Sequence, residues 1–514
     1  MLIRPTGQRP PLRLPAAVAA VAALLATASC GASGGRPPAD AGTLSLAVQN
    51  TPNSFDPAQL LSGTQSYVWS ALYDTLLTVD NKGELKPNAA ESWAYSDDRE
   101  TLTLTLREGM TFSGGAPVTA AAVKATLERT LSTPGPNSFT VASIDSVDAP
   151  DARTVVLHLK APDGALLRSL AAAAGVIGDP ETLDAERTAL DPVGSGPYVL
   201  DGSTVNGSEY VLKKRDDYWN AKAYPFETVR MRVMKDRTAI VNALRSGSLN
   251  AASVEPTHVD QFKAGGFEVT YIDAVVVGML SLSDRGGKVL EPLSDVRVRR
   301  AINMAFDREK IVEQLLRGAG EPTRQVFSPK GEAYDPALER AYTYDPAAAK
   351  KLLAEAGYPD GFAVRMPSLF FTKPFEPTVA QALGEIGIEV AWDPTPPQNS
   401  ASSISSQKYG MLLQIEGLNA APIEVKNSLD PKGPRNVFGT RDPGLTEMLD
   451  QANAVGDPTR AAALYKRINA FLVENAWYAP IFYSGRNWVT ADGVEFLGDG
   501  SNLFNSIRAF GVSD

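Results

Sequence analysis

At 514 residues the chain exceeds the size at which a single hydrophobic core stops growing, so two or three domains are expected. Its 44% hydrophobic and 21% charged residues are those of an ordinary soluble globular protein and exclude wholesale disorder. The formal charge of −10 argues against nucleic acid as a partner, because an acidic surface repels a phosphate backbone.

The N-terminus reads as a secretion signal over residues 1–30. Arg4, Arg9 and Arg13 form a positive segment, and Leu14 to Ala26 is an uncharged apolar run. That run is shorter than the roughly 20 residues of a membrane span but suits a signal peptide. It ends at Thr27-Ala28-Ser29-Cys30, small residues before the only cysteine of the protein. This resembles the bacterial lipoprotein box, with Thr27 where Leu is usual; the resemblance implies lipid on Cys30. An ordinary cleaved signal with an incidental cysteine is the other reading. One cysteine also means no intramolecular disulfide. Without the three signal arginines the chain carries about −13.

Residues 31–42, rich in Gly, Ala and Pro, read as a flexible tether. Their Gly31-x-Ser33-x-Gly35 lacks the preceding strand and following helix that a nucleophile elbow needs. Thr43 to Val48 and Thr101 to Leu106 alternate with period two, as half-buried strands do. Val123, Leu127 and Leu131 share one face of a helix within 118–131. Asp236, Asp295, Asp307, Asp345 and Asp457 each stand where a helix cap would, the last two followed by Pro at the first helical position. Arg297, Arg299 and Arg300 read as a solvated helix face. Strands interleaved with helices over this length give an α/β fold in more than one lobe.

Four ordered blocks carry a resemblance. The first is Leu85-x-Pro87-x-x-Ala90-Glu91-Ser92-Trp93 with the strand to Leu106 and Arg107-Glu108-Gly109-Met110-x-Phe112. The second is Pro192-Val193-Gly194-Ser195-Gly196-Pro197-Tyr198 with Arg215-Asp216-Asp217-Tyr218-Trp219, and the third Ala243-Leu244-Arg245-Ser246-Gly247. The fourth runs from Asp295 to Val312 and on to Ala348-x-x-Lys351-Leu352-Leu353-x-x-Ala356-Gly357-Tyr358. Together they resemble the family 5 extracellular solute-binding proteins, receptors of dipeptide, oligopeptide and nickel ABC importers. Taken alone, Gly194-x-Gly196-Pro197 is a tight turn in which glycine allows positive φ. It is not a phosphate cradle, since no P-loop lysine follows.

The resemblance implies an α/β, two-lobed periplasmic-binding-protein-like clam-shell of class II type with an extra inserted N-terminal domain. Lobe I would comprise residues 43–62, 188–274 and 486–514, the inserted domain 63–187, and lobe II 275–485. It further implies a small-molecule or peptide ligand in the cleft, lobes that close by hinge motion, ABC permease subunits as partners, and a monomer held at the extracytoplasmic face of the cell membrane by its lipid. By position, the ligand-binding residues expected are Gln49, Asn53, Phe55, Gln414, Glu416, Asn419 and Tyr483. Peptide receptors of this family have Trp, then Asp three residues on, then Asp-Pro after the strand that here runs from Gly410 to Gly417. This chain has Ile415, Leu418 and Ala421-Pro422, so the acid that grips a peptide ammonium is replaced by leucine, unless Glu416 stands in for it.

No cofactor, metal site or catalytic residue is expected. The two histidines, His158 and His258, stand apart and without a cysteine, which argues against zinc or nickel. A secreted hydrolase built on paired acids leaves no signature in sequence, and a sensor or chaperone lipoprotein on the same fold also remains open.

Overall fold

The computed structural model describes residues 42–184 and 186–513. The signal segment, Cys30 and the tether up to residue 41 lie outside the described residues. The described residues form one compact unit.

A nine-stranded sheet organises this unit. Five of its strands matter for the site: β1 (Thr43–Val48), β2 (Ala251–Val254), β3 (Glu268–Leu282), β4 (Met411–Gly417) and β5 (Tyr478–Thr490). The order is β4–β3–β5–β2–β1, continuing through Thr228–Val233, Glu209–Lys214 and Tyr198–Leu200, and the short strand Gly320–Pro322 pairs with β5 off this path. β1 alternates between buried and half-buried positions, as its sequence pattern requires.

β3 and β5 are much longer than their neighbours and connect two regions of packing. Glu268–Ile272 pairs with Arg486–Thr490, and Val276–Ser281 pairs with Tyr478–Ser484. Between these stretches the register shifts, and Ala274 takes φ +45°, a left-handed conformation that costs a non-glycine residue. Across from it stands Gly485. A Cβ there would lie 2.2 Å from the Ile272 carbonyl oxygen and 2.6 Å from the Tyr271 ring, so only glycine fits.

The cores segregate on either side of this break. Leu44, Leu46, Tyr67, Trp69, Tyr198, Met231 and Phe510 share one cluster with Trp488. Leu102, Leu104, Val123, Leu127, Val155 and Leu157 form another, under an antiparallel four-stranded sheet made of Ala90–Tyr95, Thr101–Leu106, Thr154–Leu159 and Ile144–Asp148. Beyond the crossing strands, Leu280, Val298, Phe306, Met411 and Phe482 pack together, and Val277, Phe327, Leu418, Leu429 and Tyr483 form a further cluster.

The aspartate caps are in place: Asp236, Asp295, Asp307, Asp345 and Asp457 accept from the amides of Ala239, Arg297, Lys310, Ala348 and Arg460. Two readings are corrected. Gly194 and Gly196 do not take positive φ. Their role is close approach, since a Cβ on Gly194 would lie 1.9 Å from the Leu72 carbonyl oxygen. Arg299 is not on a solvated face but 7% exposed. Its Nε and Nη2 donate to the Asn475 carbonyl and its Nη1 to that of Leu293, while Arg300 donates to the Glu474 carbonyl. The two arginines satisfy the open carbonyls at the end of the helix Pro458–Glu474, where cations are favoured.

Candidate functional site

β1 and β2 run parallel, and Val254 at the end of β2 faces Asn487 of β5, two residues from Gly485. The C-terminal end of β1 therefore points toward the crossing. Gln49 follows directly and is exposed. Asn53 is exposed too, with its Nδ2 donating to the Gln59 carbonyl at 2.8 Å. Phe55 is 2% exposed, edge-on to Tyr210 at 5.9 Å, with the Tyr73 hydroxyl donating to its carbonyl. Its ring belongs to the core.

β4 runs antiparallel to β3, with Gly417 opposite Val276 and Met411 opposite Leu282. Glu416 and Asn419 thus also lie at the crossing end, on the other side of the break. The Gln414 amide donates to Glu416 Oε1 at 3.0 Å. Arg435 reaches Glu416 through Nη2 at 3.0 Å and both oxygens of Glu424 through Nη1 at 3.0 and 2.8 Å. Glu424 also accepts from Ser428 Oγ at 2.5 Å and from Asn419 Nδ2 at 3.0 Å. It lies on α1 (Ala421–Leu429), which Pro422 starts at a position tolerant of a missing amide hydrogen.

This cluster holds two carboxylates around one guanidinium. Burial raises the Glu416 carboxyl above the ordinary glutamate range; Arg435 pulls it down and Glu424 pushes it up. Burial works against the Arg435 charge, yet Glu424 and Glu416 outweigh it and hold the guanidinium still more firmly protonated. The patch is polar and charged, and it contains no histidine. His158 pairs with Asp148 at 3.1 Å and His258 with Gln261 at 2.6 Å, each on a different part of the fold. Among the described residues no group of three or more His, Cys, Asp or Glu gathers as metal ligands.

The structure thus brings Gln414, Glu416 and Asn419 together and sets Gln49 and Asn53 at the facing strand end. Tyr483, like Phe55, is 2% exposed, and its hydroxyl donates to the Phe327 and Gln325 carbonyls at 2.6 and 3.2 Å. Leu418 is 4% exposed and packs in the cluster with Val277 and Leu429. Arg435 was not foreseen from sequence. It sits in a loop with no motif around it, and the one available signal was that a buried glutamate requires a cation.

A sheet of two parts joined by a pair of long crossing strands defines the two-lobed periplasmic-binding-protein fold of type II. It is shared by the binding protein DppA from Helicobacter pylori in complex with the peptide STSA, at a TM-score of 0.80 and 22% identity over 92% of this chain and 98% of that one. The binding protein AgaA from A. tumefacien R10, in complex with agropinic acid, matches at a TM-score of 0.79 and 26% identity, covering 92% and 99%. Glutathione-binding protein GsiB of Escherichia coli (strain K12) is 27% identical over 468 residues, 85% of this chain and 88% of that protein. The profile of the bacterial extracellular solute-binding proteins, family 5 Middle, matches residues 84–435, and the chain belongs to this family. It is therefore a solute-binding protein of the ABC-importer type and not an enzyme, which removes the hydrolase reading. Among the described residues no helix is long and apolar enough to cross a membrane.

Proposed function

We propose that this chain is the substrate-binding lipoprotein of an ABC importer, taking a peptide or peptide-sized solute into the cleft between two lobes that close by hinge motion. Lobe I comprises residues 43–62, 188–274 and 486–514, the inserted domain 63–187, and lobe II 275–485. The observation that carries closure is the break in β3 between Ile272 and Val276 facing Gly485, with separate cores on either side. Hinges of this kind absorb backbone rotation at a few positions while the packed lobes move as bodies. The relatives that bind glutathione and peptides support a ligand of that size.

The ligand is held through Gln49, Asn53, Gln414, Glu416, Asn419 and Arg435 rather than through an acid at position 418. With Glu416 already bridged to Arg435, a free ligand ammonium finds no uncommitted carboxylate on β4. Calorimetry with glutathione and with matched di- to pentapeptides, free and N-acetylated, tests this: acetylation should leave affinity unchanged. Tight binding that collapses on acetylation and on Glu416→Gln would show instead that Glu416 grips the amine. No binding by any of these would remove peptides as the solute class.

The protein acts as a monomer beside its permease, tethered through lipid on Cys30 and residues 31–42. A single acyl chain contributes about 0.8 kcal/mol per buried CH₂. Cys30→Ala should move the protein out of the membrane fraction or stall its processing. Identical fractionation of mutant and wild type would refute the tether.

A further inference from the structure

Residues assigned above to the inserted domain and to lobe II meet directly. Lys426 on α1 places Nζ 2.5 Å from Asp163 Oδ2 and 2.6 Å from the Thr140 carbonyl oxygen. The two side chains are only 12% and 8% exposed. Beside them the Gly164 amide donates to Asn453 Oδ1 at 3.1 Å. Gly164 has ordinary φ, but a Cβ on it would lie 3.0 Å from the Tyr465 hydroxyl and 3.3 Å from Asn453 Oδ1. The two surfaces touch without room for a methyl group.

Each half of this contact is complete without the other. The Asp163 carboxylate is held on its own side, by Ser143 Oγ at 2.7 Å and by the Ala165 amide at 2.9 Å. Lys426 projects from a helix anchored in its own core through Val425 and Leu429. Parting the surfaces therefore breaks the ion pair and two neighbouring hydrogen bonds, exposes both charges to water and unfolds neither side. An ion pair within one core lacks that escape, and losing one partner there strands a buried charge. Here the desolvation of two charges nearly offsets their attraction, so the contact is strong enough to bias closure and weak enough to open.

We propose that Asp163 and Lys426 form a latch across the lips of the cleft, which keeps a closed fraction of the protein populated before any ligand arrives. This rests on the two-lobed closure proposed above, but it does not depend on which solute is bound. The latch favours closure equally for every ligand, so it adds affinity without selectivity.

The test uses the ligand-free protein. Spin labels at the exposed positions Asp145 and Gln451, with Cys30 replaced by Ser, report the distance between the lips. The wild type should show a short-distance population. Lys426→Met should lower its ratio to the long-distance population roughly tenfold, the ratio that 1.4 kcal/mol of lost closing energy gives. Gly164→Leu should act as a wedge with the same result while leaving both charges in place. Far-UV circular dichroism confirms that each variant is folded. An unchanged distribution in Lys426→Met and Gly164→Leu, or a wild type without the short population, overturns the latch. Because no solute is present, a failed peptide panel leaves this outcome untouched.

Discussion

Leu418 stands where a peptide receptor's ammonium-gripping acid would be, and its side chain is 4% exposed among Val277, Leu429 and Tyr483. An aspartate there would face hydrocarbon, not a ligand. Leu418→Asp should therefore cost on the order of 3–5 kcal/mol, the range for an uncompensated buried charge, and should create no preference for free-amine peptides. A urea midpoint close to wild type would mean that the side chain reaches the cleft. Asp74 is a buried acid of the opposite kind. At 2% exposure it accepts from the Tyr218 hydroxyl at 2.7 Å and from the Trp219 indole at 3.2 Å. Burial nonetheless pushes its carboxyl up to about 6, against the pull of those donors, Arg508 and Asn88. A folded-state value above the unfolded one means that its contribution is complete below about pH 4 and is lost as pH rises through 6. The full loss amounts to about 3 kcal/mol. Asp74→Asn should consequently gain on the wild type between pH 4.5 and 7 in denaturant titrations, and a difference that stays constant across that range refutes the assignment. Neither behaviour was legible from sequence. Asp74 lies 144 residues from Tyr218, and nothing local distinguishes a cleft-facing Phe55 or Tyr483 from a core one. Both aromatics are consumed by packing.

Among the elements, legibility followed locality. Capping aspartates and alternating strands are set within a few residues, so Asp345-Pro346 and Thr101–Leu106 read correctly. Arg299 did not, because the carbonyl that takes its Nε and Nη2 lies at Asn475, 176 residues away, and in sequence Val296–Met304 looks like a helix with a basic outer face. The contrast with Arg297 gives a clean comparison. Arg297 is exposed, and its nearest anion is Asp295, two residues away on the same helix end. Arg299→Met should destabilise by about 2–4 kcal/mol, leaving the carbonyls of Asn475 and Leu293 without their donor. Arg297→Met should cost less than about 1 kcal/mol, as exposed ion pairs do. Equal denaturation midpoints for the two variants would return Arg299 to the solvated face that its sequence suggests.

At the scale of the whole molecule, the proposed closure places opposite requirements on the crossing strands and the lips. At the crossing, Ala274 with φ +45° and the crowded Gly485 concentrate backbone adjustment in a few residues, while the cores on either side stay packed. At the proposed latch, Gly164 meets Asn453 and Tyr465 without room for a methyl group. Under the closure proposed above, a molecule so built has two well-separated states rather than a continuum, and a solute shifts their ratio only by binding the closed form more tightly. Adding a bound solute should therefore lower the radius of gyration in small-angle scattering, with intermediate curves that decompose into two end states. As a family 5 solute-binding protein, the chain should release the solute chemically unchanged after prolonged incubation. Compaction without two end states would shift the motion from the crossing strands to a diffuse loosening. Recovery of a cleaved product would contradict a purely binding role for the cleft, whatever the scattering shows.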